Sequence, residues 1–125
     1  MHVIRFHHVS VNTRGVPLDE VAAFYQDVLG LRGKPRPDIP GVPGRWLEVG
    51  DQELHVVDVP PAAAGIDPTG DHYCAVVDDL DGAVAELDAR GIAYLRSDQM
   101  TGAVQVWFAD PAGHTIELQQ DPATR

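Results

Sequence analysis

The chain has 125 residues, enough for one domain with a hydrophobic core, and 44% of them are apolar, as in globular proteins. Its 19 acidic and 9 basic residues give a formal net charge of −10, which argues against nucleic acid and against an anionic membrane surface as partners. The single cysteine, Cys74, excludes an internal disulfide, and the N-terminal segment lacks the pattern of a signal peptide. We therefore expect a cytoplasmic protein in which Cys74 is a buried, inert thiol.

Hydrophobic periodicity predicts the elements of the first half. Residues 3–12 (VIRFHHVSVN) are typical of a strand, and the apolar spacing after Pro17 predicts a helix that ends at Gly30. Residues 33–44 hold four prolines and three glycines, so we predict an irregular loop there. Two strands follow, at 45–49 and 53–59, joined by a Gly50-Asp51 turn.

The same order of elements then occurs a second time. A linker is predicted at about 61–69, between a first module at about 1–60 and a second at about 70–121. In the second module, HYCAVVDD predicts a strand and LDGAVAELDARGI a helix that ends at Gly91. Three further strands are predicted in AYLRS, AVQVWFAD and HTIELQQ, with a turn at DPAG between the last two.

Six histidines in an acidic protein suggest a metal site. The first strand of each module carries a histidine, His8 or His72, and the last strand carries His55 or Glu117. The separations within the modules are similar, since 55 − 8 is 47 and 117 − 72 is 45. If the modules pack about a pseudo-twofold axis, the four side chains converge. Imidazole and carboxylate ligands suit one divalent ion of Zn, Ni, Co, Mn or Fe.

Several other residues have both a functional and a structural interpretation. Because neighbours in a strand point to opposite faces, we expect His7 to face away from His8 and to be structural. A substrate pocket could be lined by Trp46, Tyr73 and Trp107, although aromatic residues more commonly pack in a core. Arg45 could bind an anionic substrate group, or it could simply be a solvated surface charge.

The sequence resembles the vicinal oxygen chelate superfamily, which includes glyoxalase I, bleomycin-resistance proteins and extradiol dioxygenases. The resemblance is carried by HHVSVN, FYQDVLGL, RWLEVGDQELHVVD, HYCAVVDDLDGAVAELDARGI and, most specifically, VWFADPAGHTIELQQ. It implies an α+β fold in which residues 1–125 form two βαβββ modules of an open, eight-stranded, cup-shaped barrel. It also implies His8, His55, His72 and Glu117 as metal ligands, with a departure from the usual Glu or Gln at position 55.

Three functions follow from this resemblance. The first is a divalent-metal-dependent lyase or isomerase that chelates two neighbouring oxygens of a small substrate and stabilises an enolate-like intermediate, with Glu117 as ligand and proton shuttle. The second is an Fe(II) extradiol-type dioxygenase, which requires His55 to stay off the metal because substrate and O₂ need the free positions. The third is a metal-free, drug-binding module. The resemblance further implies a homodimer.

Overall fold

Eight strands form one open sheet in the computed structural model, which describes residues 1–62, 64–98 and 103–124. The elements are β1 (Val3–Asn12), α1 (Leu18–Val28), β2 (Arg32–Lys34), β3 (Gly44–Val49), β4 (Gln52–Val57), β5 (His72–Val77), α2 (Leu80–Ala89), β6 (Tyr94–Ser97), β7 (Gln105–Ala109), β8 (Thr115–Gln120) and a 3₁₀ turn (Pro122–Thr124). A strand, a helix and three strands thus occur twice in succession. The predicted α+β fold of two βαβββ units in an open cup is confirmed.

The strand order across the sheet is β2-β3-β4-β1-β5-β8-β7-β6. The first strands of the two units, β1 and β5, lie antiparallel at the centre, and each pairs in parallel with the last strand of its own unit. The four strands that carry the predicted ligands are therefore adjacent in the order β4, β1, β5, β8. This arrangement places the candidate site at the middle of the sheet.

The two helices are anchored unequally. The α2 helix begins with the side chain of Asp79 accepting a hydrogen bond from the backbone N–H of Gly82 at 3.0 Å, which satisfies one of the free donors at its N-terminus. It buries Leu80, Ala83 and Leu87, at helical spacing, in a core with Val77, Val106 and Leu118 of the sheet. The α1 helix has no side-chain cap and buries Ala22 alone among its described residues.

The predicted elements agree with the observed ones to within about two residues, except at β2. Residues 32–34 lie partly in the segment predicted as an irregular loop, yet they pair with β3 as a short, exposed edge strand. Arg32, Gly33 and Lys34 contain no alternation of apolar and polar residues and are followed by Pro35, so this strand leaves no periodic signal in the sequence. Residue 63 of the predicted linker lies outside the described residues. The homodimer stays a prediction, because the structure contains a single chain.

No helix among the described residues is long and apolar enough to cross a bilayer. The sequence likewise contains no apolar run of the length that a spanning helix needs. The two helices of 11 and 10 residues instead belong to the sheet-covering layer of the fold.

Replacing Leu87 by alanine tests the α2 core. Leu87 is 1% exposed, so Leu87→Ala leaves a cavity and should lower the free energy of unfolding by about 2–5 kcal/mol in a urea titration. Leu95→Ala, at a side chain that is 47% exposed, is the matched control and should change it by less than about 0.5 kcal/mol. Equal losses in the two variants would contradict the placement of this core.

Candidate metal centre

The register of the central strands brings three of the predicted ligands to one face of the sheet. His8 lies opposite Cys74, and Cys74 lies opposite Glu117 on the next strand. His72 is two residues before Cys74, so its side chain points to the same face as that of Glu117. The result is a group in which His8, His72 and Glu117 come from three adjacent strands.

The ligand atoms of these three residues nearly touch. His8 Nε2 lies 3.3 Å from His72 Nε2 and 3.2 Å from Glu117 Oε1, and His72 Nε2 lies 3.1 Å from the same oxygen. All three side chains are at most 5% exposed. Two imidazoles and one carboxylate that converge in this way could hold a divalent metal ion.

The hydrogen bonds around the group are those expected of a metal site. His72 Nδ1 donates to the backbone carbonyl of Gly70 at 2.9 Å, which leaves its Nε2 directed at Glu117 Oε1. A ring nitrogen and a carboxylate oxygen 3.1 Å apart can share one cation, either a proton or a metal ion. The donor set therefore fits a divalent cation, and His8, His72 and Glu117 would hold it.

Glu117 is kept as an anion in spite of its burial. Burial by itself would raise the pKa of its carboxyl group, but hydrogen bonds from His72, His8 and Gln119 hold that pKa well below its usual range. Its second oxygen, Oε2, accepts from Gln105 Nε2 at 3.0 Å and from Gln119 Nε2 at 2.7 Å. These two amides orient the carboxylate so that Oε1 is directed at the histidines.

His55, the fourth predicted ligand, does not belong to the group that the described residues form. Its Nε2 lies 2.8 Å from Glu53 Oε1. Its ring is stacked between the rings of Trp46 and His8, at centroid distances of 4.5 and 3.9 Å. Burial and the neighbouring His8 lower the pKa of His55 to about 3, although Glu53 acts in the opposite direction. A carboxylate thus holds the His55 ring against the site.

Sequence reasoning missed Glu53. It lies two residues before His55 on β4, so both side chains point to the same face, and its carboxylate also binds the ammonium group of Lys34 on β2. The spacing Glu53-x-His55 within a predicted strand is the pattern that could have indicated it. Lys34 could not be assigned in the same way, because β2 itself was not predicted.

The prediction that His7 and His8 face opposite sides of the strand is wrong. The pairing of β1 with β5 shifts register between Phe6 and His8, which makes His7 the extra residue of a β-bulge. The bulge breaks the strict alternation of side chains, and His7 Nδ1 comes within 2.8 Å of His8 Nδ1. His7 therefore lines the same cavity as His8 instead of the outer face.

The group opens into a cavity of about 260 Å³. Of the four residues suggested for a substrate pocket, Trp46 and Trp107 line this cavity, whereas Arg45 and Tyr73 are not among its described lining residues. Tyr73 packs edge-to-face on Phe6 with ring centroids 5.4 Å apart, and Arg45 pairs with Asp19 at 2.8 Å outside the cavity. The arginine that does line the cavity is Arg36, from the loop between β2 and β3.

Cys74 lies next to the site and is buried, as predicted. It is fully buried, and burial together with the nearby Glu117 raises the pKa of its thiol far above the usual value. A thiol that stays protonated is a poor nucleophile and a poor metal ligand.

The sequence matches the Glyoxalase/Bleomycin resistance protein/Dioxygenase superfamily over residues 5–118. The chain belongs to this superfamily. A relative from Arabidopsis thaliana, "Glyoxylase I 4", is 32% identical over 126 residues that cover 94% of this chain and 71% of the plant protein. The resemblance predicted from the sequence motifs is therefore confirmed.

Solved structures show the same fold in distant relatives. A hypothetical protein from Bacillus halodurans superposes with a TM-score of 0.73 at 17% identity, covering 94% of each chain. Methylmalonyl-CoA epimerase from Mycobacterium tuberculosis superposes with a TM-score of 0.70 at 18% identity, covering 97% of this chain and 91% of the epimerase. At these identities the likeness concerns the fold.

We predict that the purified protein binds about one equivalent of a divalent ion per chain, measured by elemental analysis after incubation with Zn, Ni, Co, Mn or Fe and dialysis. His72→Ala and Glu117→Gln should lose the ion, because each removes a ligand atom from a three-ligand group. His114→Ala is the matched control: His114 bonds to Asp110 in an exposed turn, and its loss should leave the metal content unchanged. Retention of the metal by His72→Ala would contradict the site.

A separate prediction concerns His55. Because the Nε2 of His55 is bonded to Glu53 and His55 does not belong to the group of His8, His72 and Glu117, His55→Ala should keep the full metal content under the same conditions. A loss as large as that in His72→Ala would instead show that all four residues predicted from the sequence are ligands.

Proposed function

We propose that this protein is a divalent-metal-dependent lyase or isomerase of the glyoxalase-like type, acting on a small molecule that carries two neighbouring oxygens. One observation carries the proposal: Nε2 of His8, Nε2 of His72 and Oε1 of Glu117 converge to within 3.3 Å at the wall of a cavity large enough for a small substrate. The plant relative named as a glyoxylase I supports the same class of reaction.

Three protein ligands leave coordination positions for a bidentate substrate. When bound, the ion would supply Lewis-acid stabilisation of the negative charge that develops on a substrate oxygen. The chain itself orients the ligands: Gly70 fixes the tautomer of His72, while Gln105 and Gln119 fix the carboxylate of Glu117. Such fixed partners avoid the cost of reorganising the site during the reaction.

Besides Arg36 Nε, three buried polar atoms on residues of the cavity wall remain for a substrate to satisfy. Ser10 Oγ, Gln105 Oε1 and Trp107 Nε1 have no hydrogen-bond partner among the described residues, and all three side chains line the cavity. Buried polar atoms without a partner are costly, so groups that satisfy them add binding energy. Trp107 Nε1 is a donor, Gln105 Oε1 is an acceptor, and the Ser10 hydroxyl can act as either. This combination suits a substrate with hydroxyl and carbonyl oxygens.

A carboxylate that does not hold the ion is free to act as the base in proton transfer. The sequence suggested Glu117 as ligand and proton shuttle, but Glu117 belongs to the group that would hold the ion, and its Oε2 is fixed by two amides. Both oxygens of Glu53 are also bonded, to Lys34 and His55, but Glu53 does not belong to that group. Glu53 lines the same cavity on β4, across the central strands from Glu117. We assign to Glu53 the removal of a proton from the carbon next to the chelated carbonyl, with His55 as its hydrogen-bonded partner.

Exchange of that proton with solvent tests the assignment. An α-hydroxyketone that is incubated with metal-loaded protein in D₂O should take up deuterium at the carbon next to the carbonyl. Proton NMR measures this uptake as loss of the signal of that C–H. Glu53→Gln should lower this rate by about 10²–10⁴-fold while the metal content stays complete. Glu117→Gln should lose both the metal and the exchange. An unchanged rate in Glu53→Gln would return the proton transfer to Glu117.

One observation favours a second function. With His55 held by Glu53, the remaining two histidines and one carboxylate match the ligand set of non-haem Fe(II) oxygenases. An Fe(II)-loaded protein of that kind would consume O₂ with a catechol and would not catalyse deuterium exchange. Oxygen uptake without exchange would therefore replace the lyase or isomerase proposal by an extradiol-type dioxygenase.

A further inference from the structure

Arg36 is the positively charged side chain of the loop that closes one wall of the cavity. The loop, residues 35–43, connects β2 with β3, and it contributes Arg36, Ile39 and Val42 to the cavity lining. Sequence reasoning placed a possible anion-binding role on Arg45, nine residues further along. The structure pairs Arg45 with Asp19 and leaves Arg36 at the cavity.

Arg36 differs from every other basic side chain that the structure describes. The remaining described arginines and Lys34 each have a carboxylate within 4.0 Å, whereas Arg36 has none among the described residues. Its Nη2 donates to the backbone carbonyl of Val42 at 2.6 Å, and its buried Nε has no described partner. Burial and the nearby Arg45 lower the pKa of Arg36, while Asp38 acts in the opposite direction.

The local sequence fixes this arginine in place. Pro35 and Pro37 flank it, and a residue between two prolines has a restricted, extended backbone. Gly44 lies beneath the guanidinium group: an added Cβ at Gly44 would lie 3.1 Å from Arg36 Nη2 and 2.5 Å from the carbonyl oxygen of Val56. Arg36 thus occupies a space that a side chain at position 44 would fill. Preorganisation of this kind lowers the entropy cost of binding a ligand.

The other charges of the cavity are already balanced. Glu53 binds Lys34 and His55, and Glu117 is directed at the two histidines that would share a cation with it. A bound divalent ion would leave the metal group with a net positive charge, to which Arg36 adds another. With such an ion bound, the cavity wall would be positive although the chain as a whole carries a formal charge of −10.

We propose that Arg36 binds an anionic oxygen group of the substrate, a carboxylate or a phosphate, at the cavity wall formed by the 35–43 loop. The proposal rests on the proposed function for its chelating end and adds a substrate class: small hydroxycarbonyl compounds that also carry an acid group. A guanidinium fork fits either anion, since both offer paired oxygens.

Hydroxamates are suitable probes, because each carries two neighbouring oxygens that chelate a metal. We would titrate Ni²⁺-loaded protein calorimetrically with acetohydroxamate, with the monohydroxamate of succinate, and with a hydroxamate that carries a phosphonate. Wild-type protein should bind at least one acidic hydroxamate about tenfold more tightly than acetohydroxamate. The preferred acid distinguishes a carboxylate substrate from a phosphate one.

Arg36→Gln should abolish the preference for the acidic probes. Its affinity for acetohydroxamate should stay within about twofold of the wild-type value, and that result would show that the metal site is intact. Arg45→Gln is the matched control, since it removes a neighbouring arginine outside the cavity, and it should keep the preference. The proposal is overturned if wild-type protein shows no preference, or if Arg36→Gln retains it.

The chelating function and the Arg36 anion site can fail separately. If no hydroxamate binds, the chelating function is wrong, and Arg36 is then tested on metal-free protein by NMR titration with succinate and with 3-phosphonopropionate. Shifts of cavity resonances that disappear in Arg36→Gln would support an anion site without chelation. The absence of such shifts would overturn the Arg36 proposal as well.

Discussion

The buried carboxylate of Glu117 is the constraint on which the site depends. Glu117 is 1% exposed, and an unpaired charge at that depth would destabilise the fold by several kcal/mol. Two histidines and two glutamines surround it, which keeps it ionised and fixes its direction. Stability and function are therefore coupled here: the groups that compensate the charge are also those that would bind and orient a cation.

The central pairing of β1 with β5 is what makes this compensation possible. The β1 and β5 strands pair antiparallel at the centre of the sheet, and each has a parallel neighbour, β4 or β8, on its other side. This pairing places the candidate ligands of one unit next to those of the other. Ser10 lies opposite both His55 and His72, and His8 lies opposite both Glu53 and Cys74. A slip of one residue would turn every one of these side chains to the other face. The bulge at His7 is tolerated because the register recovers at His8.

These features explain which parts were predictable. His8, His72 and Glu117 could be found because each sits in a strand with a strong apolar pattern and because the sequence resembles a known superfamily. The position of His55 could not be inferred, since it is decided by a hydrogen bond to Glu53, by stacking between Trp46 and His8, and by a lysine on an unpredicted strand. The bulge at His7 and the place of Arg36 depend equally on tertiary contacts, for which spacing along the chain carries no signal.

The role of Arg36 also shows why net charge is a poor guide to the ligand. The formal charge of −10 is a sum over the chain, and exposed charges are screened over about 10 Å at 0.1 M salt. Inside the cavity the carboxylates of Glu53 and Glu117 are already engaged with Lys34 and the histidines, so the short-range field is set by Arg36 and by any bound cation. The acidic surface then disfavours the distant approach of anions, while the cavity selects for them at contact. A substrate with an acid group fits this arrangement better than the cationic ligand that the composition alone would suggest.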